Sequence, residues 1–197
     1  MTNGFRFRLG TFSDEEVAAF RAEQAQLAAD EVGIDTVDTD ADDAVPFGYR
    51  ETRYRTVLGV DPGVFEHAKD ALQNRVMYPA PLSALRPEDV PLTSGATLVV
   101  VLNLFGCQAL NAIRVLAIDD RPDDYRLVVG TLPGHALVGK EVFRIVREGE
   151  RVVYELYALS KPHHWLAKLG WPLTRWVQRR FARKSLEKMA RALLSPF

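Results

Sequence analysis

The spacing of hydrophobic and polar positions changes period several times along this chain. In residues 13–30, SDEEVAAFRAEQAQLAAD, Val17, Phe20 and Leu27 fall near one face at helical spacing, and Ser13 with Glu16 makes a capping box at the start. In residues 49–58, YRETRYRTVL, the period is two: Tyr54 and Thr56 take one face and Arg53 and Arg55 the other, which predicts a strand. The helical period returns in residues 59–74, GVDPGVFEHAKDALQN. There Asp61 is expected to cap, Pro62 to take the first helical position, and Phe65, Ala68 and Leu72 to form the buried stripe. Pro79, Pro81, Pro87 and Pro91 exclude one long regular element from residues 75–95.

From residue 96 to 159 the pattern is that of strands, predicted at 97–105, 109–118, 124–131, 137–147 and 151–159. DDRPDD (119–124) and EGE (148–150) are the clearest turns between them. After SKP (160–162) the chain turns helical. Pro162 suits a first helical position, and Gly170 with Pro172 should kink or split the helix before the unbroken run Gln178–Leu194. The predicted class is therefore α+β. A curved antiparallel sheet must bury one face, and one long C-terminal helix laid across it does so. That order resembles the helix-grip arrangement of Bet v 1-like and START-like proteins, which implies a cavity between sheet and helix. Residues 1–46 read as an N-terminal helical extension with an acidic linker, DTVDTDADD (35–43), and residues 47–197 as the helix-grip domain.

Composition narrows the classes of partner. A net charge of −1 gives no general attraction to polyanions, so nucleic acid is the least favoured partner. The charge is unevenly placed, with Arg175, Arg179, Arg180, Arg183, Lys184, Lys188 and Arg191 against the single acid Glu187. Beside Trp165, Trp171 and Trp176, such a stretch also suits an anionic membrane surface. The single cysteine, Cys107, excludes an internal disulfide and a zinc site built on several thiolates, and it reads as a buried small hydrophobe. The opening MTNGFRFRLGTFSDEE has no apolar signal region, and the apolar run ATLVVVLNLFG (96–106) is too short to span a bilayer. The expected location is cytoplasmic.

The candidate chemistry centres on VVGTLPGHALVGKEVFRI, residues 128–145. Pro133 and Gly134 suit the middle of a type II turn that leaves His135 at its end. The simplest reading is a hairpin whose histidine caps the turn. The sharper one has His135 and Glu141 facing a pocket. In a regular strand those two would share a face about 20 Å apart, at ~3.3 Å per residue. Only a bulge or bend, for which Gly139 is the natural place, would bring them closer. Residues 141–159 are apolar at both alternations. They predict a sheet covered on both faces, one of which could line a cavity with Tyr154, Tyr157 and Glu155 as its polar fixtures. His163 and His164 lack the spacing of a metal motif, His67 reads as a surface or half-buried residue, and nothing reads as a phosphate loop, so no metal or cofactor is expected.

GTLPGHALVGKEVF, YALSKP, WVQRRFARKS and the upstream YRTVLGVDPGVFEHAKDALQN resemble an uncharacterised family of bacteria and plants, known only as domain of unknown function number 1990. The similarity runs over residues 49–190. The family pattern falls on Gly130, Thr131, Gly134, His135, Gly139, Glu141, Phe143, Ser160, Pro162, Gln178 and Phe181. Lys140 departs from it, standing where members often carry a second Glu, so adjacent carboxylates are not available as a mechanism. The resemblance implies relatives and no agreed activity. Three readings follow. The first is a module binding a small, largely apolar ligand through Thr131, His135, Glu141, Phe143, Tyr154, Tyr157 and Trp176. The second is an enzyme of the same cavity using His135, Glu141 or Glu155 as acid or base. The third is a peripheral membrane or interaction protein using the basic helix.

Overall fold

The alternating run that begins near Cys107 continues past Ile118 to Arg121, giving a strand of 15 residues, β5 (Cys107–Arg121). Around it the computed structural model, which describes residues 4–27, 45–60 and 62–194, builds a single antiparallel sheet. The other strands are β1 (Arg6–Leu9), β2 (Arg50–Gly59), β3 (Ser83–Arg86), β4 (Thr97–Leu104), β6 (Asp124–Thr131), β7 (Leu137–Glu148) and β8 (Arg151–Pro162). The sheet order is β2-β8-β7-β6-β5-β4-β3. Two neighbours share one edge of β5: β6 pairs with Ile113–Arg121, and β1 pairs with Cys107–Leu110. The four-residue strands β1 and β3 were not predicted. Each is too short to show a period of its own.

The helices are α1 (Asp14–Ala25), α2 (Pro62–Gln73), α3 (Trp165–Leu169) and α4 (Trp171–Leu194). The capping box of α1 forms as the sequence implies: the Ser13 hydroxyl accepts from the Glu16 backbone N–H, and the Glu16 carboxylate accepts from the Ser13 N–H. The predicted cap Asp61 and the acidic stretch 35–43 lie outside the described residues. Pro162 does not open a helix. It ends β8, and His164 caps α3 instead, its Nδ1 accepting from the Leu166 N–H at 3.3 Å. Gly170 splits α3 from α4 as expected.

Strand alternation divides the buried residues between two faces. On the concave face Leu98, Ile113, Leu127, Phe143, Ile145, Tyr154 and Leu156 pack against Phe65, Ala68 and Leu72 of α2 and Ala182 and Met189 of α4. On the convex face Val99, Val101, Leu110 and Ala112 pack against Val17 and Phe20 of α1. A large apolar side chain buried this way contributes roughly 1.5–3 kcal/mol. The rest of the convex face carries an ion ladder. Asp124 accepts from Arg126 and Arg144, and Glu155 pairs with both Arg144 and Arg53.

Candidate functional site

Where α4 begins, it stands off the sheet and leaves a cavity of about 480 Å³. Val129, Leu156 and Ala158 wall it from the sheet, and Val177 and Phe181 from α4. Phe7, Leu166, Leu169 and Leu173 line it and are also exposed, so the mouth lies between β1, α3 and the first turn of α4.

The hairpin between β6 and β7 supplies the polar part of the wall. The His135 N–H donates to the Leu132 carbonyl at 2.9 Å, so the Pro133–Gly134 turn forms. It is not of type II, because Gly134 lies outside the left-handed region. Gly134 is needed for another reason. A Cβ there would lie 2.6 Å from the Phe20 ring and 2.7 Å from the Gln24 side chain, whose Oε1 accepts the Gly134 N–H at 2.8 Å. Gly139 also serves a close approach: a Cβ would fall 2.1 Å from the Leu159 carbonyl oxygen. The bulge expected there is absent: β7 pairs with β8 from Leu137 to Glu148 and with β6 from Lys140 to Val146, in both cases without a register shift.

Thr131, His135 and Glu141 all line the cavity. Thr131 Oγ1 accepts from the Gly139 N–H at 2.9 Å, which ties the two strands together at the turn. His135 Nδ1 accepts from the Leu137 N–H at 2.9 Å, which leaves Nε2 to carry the proton of the neutral ring. Burial pushes its pKa down to about 4, so near neutrality His135 is an uncharged hydrogen-bond donor and a weak base. Glu141 has no hydrogen bond and no ion pair among the described residues. Burial alone pushes its carboxyl up to about 7. Tyr78 and Tyr154 sit close enough for its charge to add to the upward push that burial gives their phenols. A carboxyl poised near neutrality can take or give a proton, or hold a cation.

The remaining sequence candidates fall elsewhere, and strand parity explains most of them. Leu156, Ala158 and Ser160 of β8 face the cavity, so Glu155 and Tyr157 project from the convex face. There Glu155 pairs with Arg53, whose guanidinium also lies 5.3 Å from the Tyr157 ring centroid. Phe143 and Tyr154 are on the concave face but beyond the cavity, under the later turns of α4. Phe143 packs on Tyr78 with ring centroids 5.7 Å apart, and the Tyr154 hydroxyl hydrogen-bonds Ser185 Oγ at 2.8 Å. Trp176 points outward and stacks on Phe105 beside a second depression shared with Arg180 and Lys184. Cys107 lines that depression and is half-buried, not enclosed as expected.

Among cavity residues outside the candidate set, Tyr78 gave no signal because it lies in the proline-rich segment without periodicity. Asn111 Oδ1 accepts from the Ala136 N–H at 3.2 Å. Gln178 Nε2 donates to Ser160 Oγ at 3.0 Å and ties α4 to β8, which gives two positions of the family pattern a shared structural task. Among the described residues no three His, Cys, Asp or Glu side chains cluster to hold a metal ion.

A family model described as Domain of unknown function (DUF1990) matches residues 29–188. A UPF0548 protein of Deinococcus radiodurans is 33% identical over 77% of this chain and 82% of its own length. A UPF0548 protein of Arabidopsis thaliana is 29% identical over 71% of each. Among solved structures, Ara h 8.0201 superimposes with a TM-score of 0.50 at 14% identity, covering 76% of this chain and all of that one. The di-domain ARO/CYC StfQ from the steffimycin biosynthetic pathway gives a TM-score of 0.52 at 12% identity, covering 74% of this chain and 51% of that one. At such identities the likeness establishes a shared helix-grip fold.

Proposed function

The chain belongs to the DUF1990 family, and from that premise we propose that it binds a small, largely apolar molecule in the cavity between its sheet and α4. The observation that carries this reading is the cavity itself. It measures about 480 Å³, has walls that are mostly aliphatic and aromatic, and has few polar groups, which is the usual make-up of a small-molecule site. Thr131, His135 and Glu141 are the fixtures that orient the ligand. Any acid–base chemistry in the same cavity falls to Glu141, since Glu155 sits on the far face and His135 is too weak a base near neutrality, with Nδ1 held by the Leu137 N–H. The lone Cys107 fits a reducing, cytoplasmic setting.

The test is a titration with the neutral apolar fluorophore N-phenyl-1-naphthylamine. Saturable, one-to-one enhancement is expected. Ala158→Phe, which fills the cavity from β8, should reduce it at least tenfold while the protein stays folded. Absence of saturable binding to the unaltered protein would overturn the reading.

A second reading has one specific observation in its favour. Trp165, Leu169 and Leu173 are 62%, 79% and 50% exposed around α3 and the start of α4, and Leu169 and Leu173 line the mouth itself. The exposed rim adjoins the basic run of α4. Such a surface suits docking on an anionic bilayer with the cavity opening towards it.

A further inference from the structure

Glu141 is the feature of the cavity that ligand binding of a general kind leaves unexplained. A carboxyl set in an apolar wall is costly unless it is paired or stays protonated. The structure supplies no counter-charge for it. His135, in the same wall, is neutral, with Nδ1 committed to the Leu137 N–H. Lys140, one residue along β7, is buried and also lines the cavity, but its side chain leaves from the opposite face of the strand and exerts no pull on the Glu141 carboxyl. Arg175 of α4 donates to Thr52 Oγ1 at 3.2 Å and lies over the Trp171 ring. Its cross-strand neighbours are the apolar Val129 and Ala158, and aromatic rings lie within reach of its charge. Tyr78 lines the cavity near enough to feel the Glu141 charge, and its ring centroid lies 5.7 Å from that of Phe181, which lines the cavity from α4. An unpaired carboxylate beside aromatic faces is the chemistry that recognises an ammonium group.

We propose that the cavity takes a lipophilic amine, its ammonium paired with the Glu141 carboxylate beside the Tyr78 and Phe181 rings and its apolar part against Val129, Leu156 and Ala158. The proposal rests on the reading that the cavity binds a small apolar molecule, and it names the class. A carboxylate-bearing ligand is disfavoured, because it would meet the like charge of Glu141. The other titratable groups of this wall are Tyr78 and Tyr154, which feel the Glu141 charge, His135, and the buried Lys140, whose side chain leaves β7 from the opposite face. The phenols are pushed up and His135 down, so all three are uncharged near neutrality, and Glu141 alone sets the pH response.

The experiment compares octylamine, octan-1-ol and octanoate as displacers of N-phenyl-1-naphthylamine at pH 7.5. The three share one apolar chain and differ only in the head group. Octylamine should displace the probe at about a tenth or less of the concentration the other two require, a ratio that corresponds to ~1.4 kcal/mol. Glu141→Gln should abolish that preference and leave octan-1-ol displacement unchanged. Tyr78→Leu should weaken octylamine more than octan-1-ol. In the unaltered protein the preference should shrink as pH falls from 7.5 to 5.5 and Glu141 takes up its proton. Equal displacement by amine and alcohol, a preference for octanoate, or an amine preference that survives Glu141→Gln would each overturn the proposal and leave the cavity reading intact. Failure of the probe to bind at all would overturn both.

Discussion

At the scale of single residues the hairpin holds two groups whose burial opposes their charge, and each should mark the pH dependence of stability. His135 is lowered from 6.5 to about 4, so the unfolded chain takes up its proton first as pH falls. Stability from this group is complete above pH 6.5 and declines between about pH 6.5 and 4, by roughly 3 kcal/mol in all. Glu141 works in the other direction. Its carboxyl is raised from 4.5 to about 7, so the folded protein holds its proton longer and stability declines as pH rises from about 4.5 to 7, again by roughly 3 kcal/mol. Two variants separate the effects. His135→Asn keeps an acceptor for the Leu137 N–H and should flatten the acid limb, raising stability relative to the unaltered protein at pH 5 and changing little at pH 8. Glu141→Gln should do the reverse. Urea denaturation of both variants at pH 5 and pH 8 reads the crossover, and parallel shifts at the two pH values would refute it. Thr131, His135 and Glu141 were legible as cavity residues because turn chemistry and family pattern converge on one short segment. Glu155 and Tyr157 were misplaced because β7 and β8 are apolar on both faces, which erases the parity signal that would have told inside from outside. Tyr78 was invisible because no period runs through residues 75–95.

At the scale of elements, the five long strands after residue 96 were legible nearly to their ends because β-branched runs and turn residues alternate cleanly there. What could not be read was contact between elements distant in sequence. Gly134 looked like a turn glycine, yet it is the seat of α1, more than a hundred residues upstream. Gly139 looked like a bulge, yet it lets β7 and β8 approach. Each therefore carries a different expectation. Gly139→Ala sets a methyl against the Leu159 backbone in the middle of a paired strand, where neither side yields easily, and should destabilise by on the order of 3 kcal/mol. Gly134→Ala presses on side chains that can move, the Phe20 ring and Gln24, and should cost less. Phe20→Ala removes a fully buried ring from the α1 face and should cost about 3–5 kcal/mol. It should also relieve Gly134→Ala, so the double variant should be less destabilised than the sum of the two. Thermal denaturation of the four proteins tests this, and strict additivity would mean that α1 does not press on the turn.

At the scale of the whole molecule the charge is nearly balanced, but its distribution has a direction. Between Glu155 and Glu187 the chain has no acidic residue and carries Lys161, Lys168, Arg175, Arg179, Arg180, Arg183 and Lys184. On α4 Leu173, Trp176, Arg180 and Arg183 follow at spacings of three and four, so one face runs from apolar at the cavity mouth to basic further along. Among the described residues no helix is long and apolar enough to cross a membrane, so contact with a bilayer through these helices would be at its surface. Each basic side chain near an anionic surface adds about 1 kcal/mol, and the attraction fades within a Debye length of ~10 Å at 0.1 M salt. The apolar rim adds a part that salt does not screen. Vesicles of phosphatidylglycerol and phosphatidylcholine should therefore sediment the protein at low salt and release most of it at 0.5 M salt, while pure phosphatidylcholine vesicles retain little. Arg179→Glu with Arg183→Glu should abolish the salt-sensitive part. Both side chains are exposed and make no ion pair among the described residues, so the fold should tolerate the change. Leu169→Ser with Leu173→Ser should weaken binding at every salt concentration, because it removes the apolar rim and leaves the charge. Equal retention on anionic and neutral vesicles, or no retention at low salt, would leave the basic face of α4 as a solvated surface and the cavity mouth open to water.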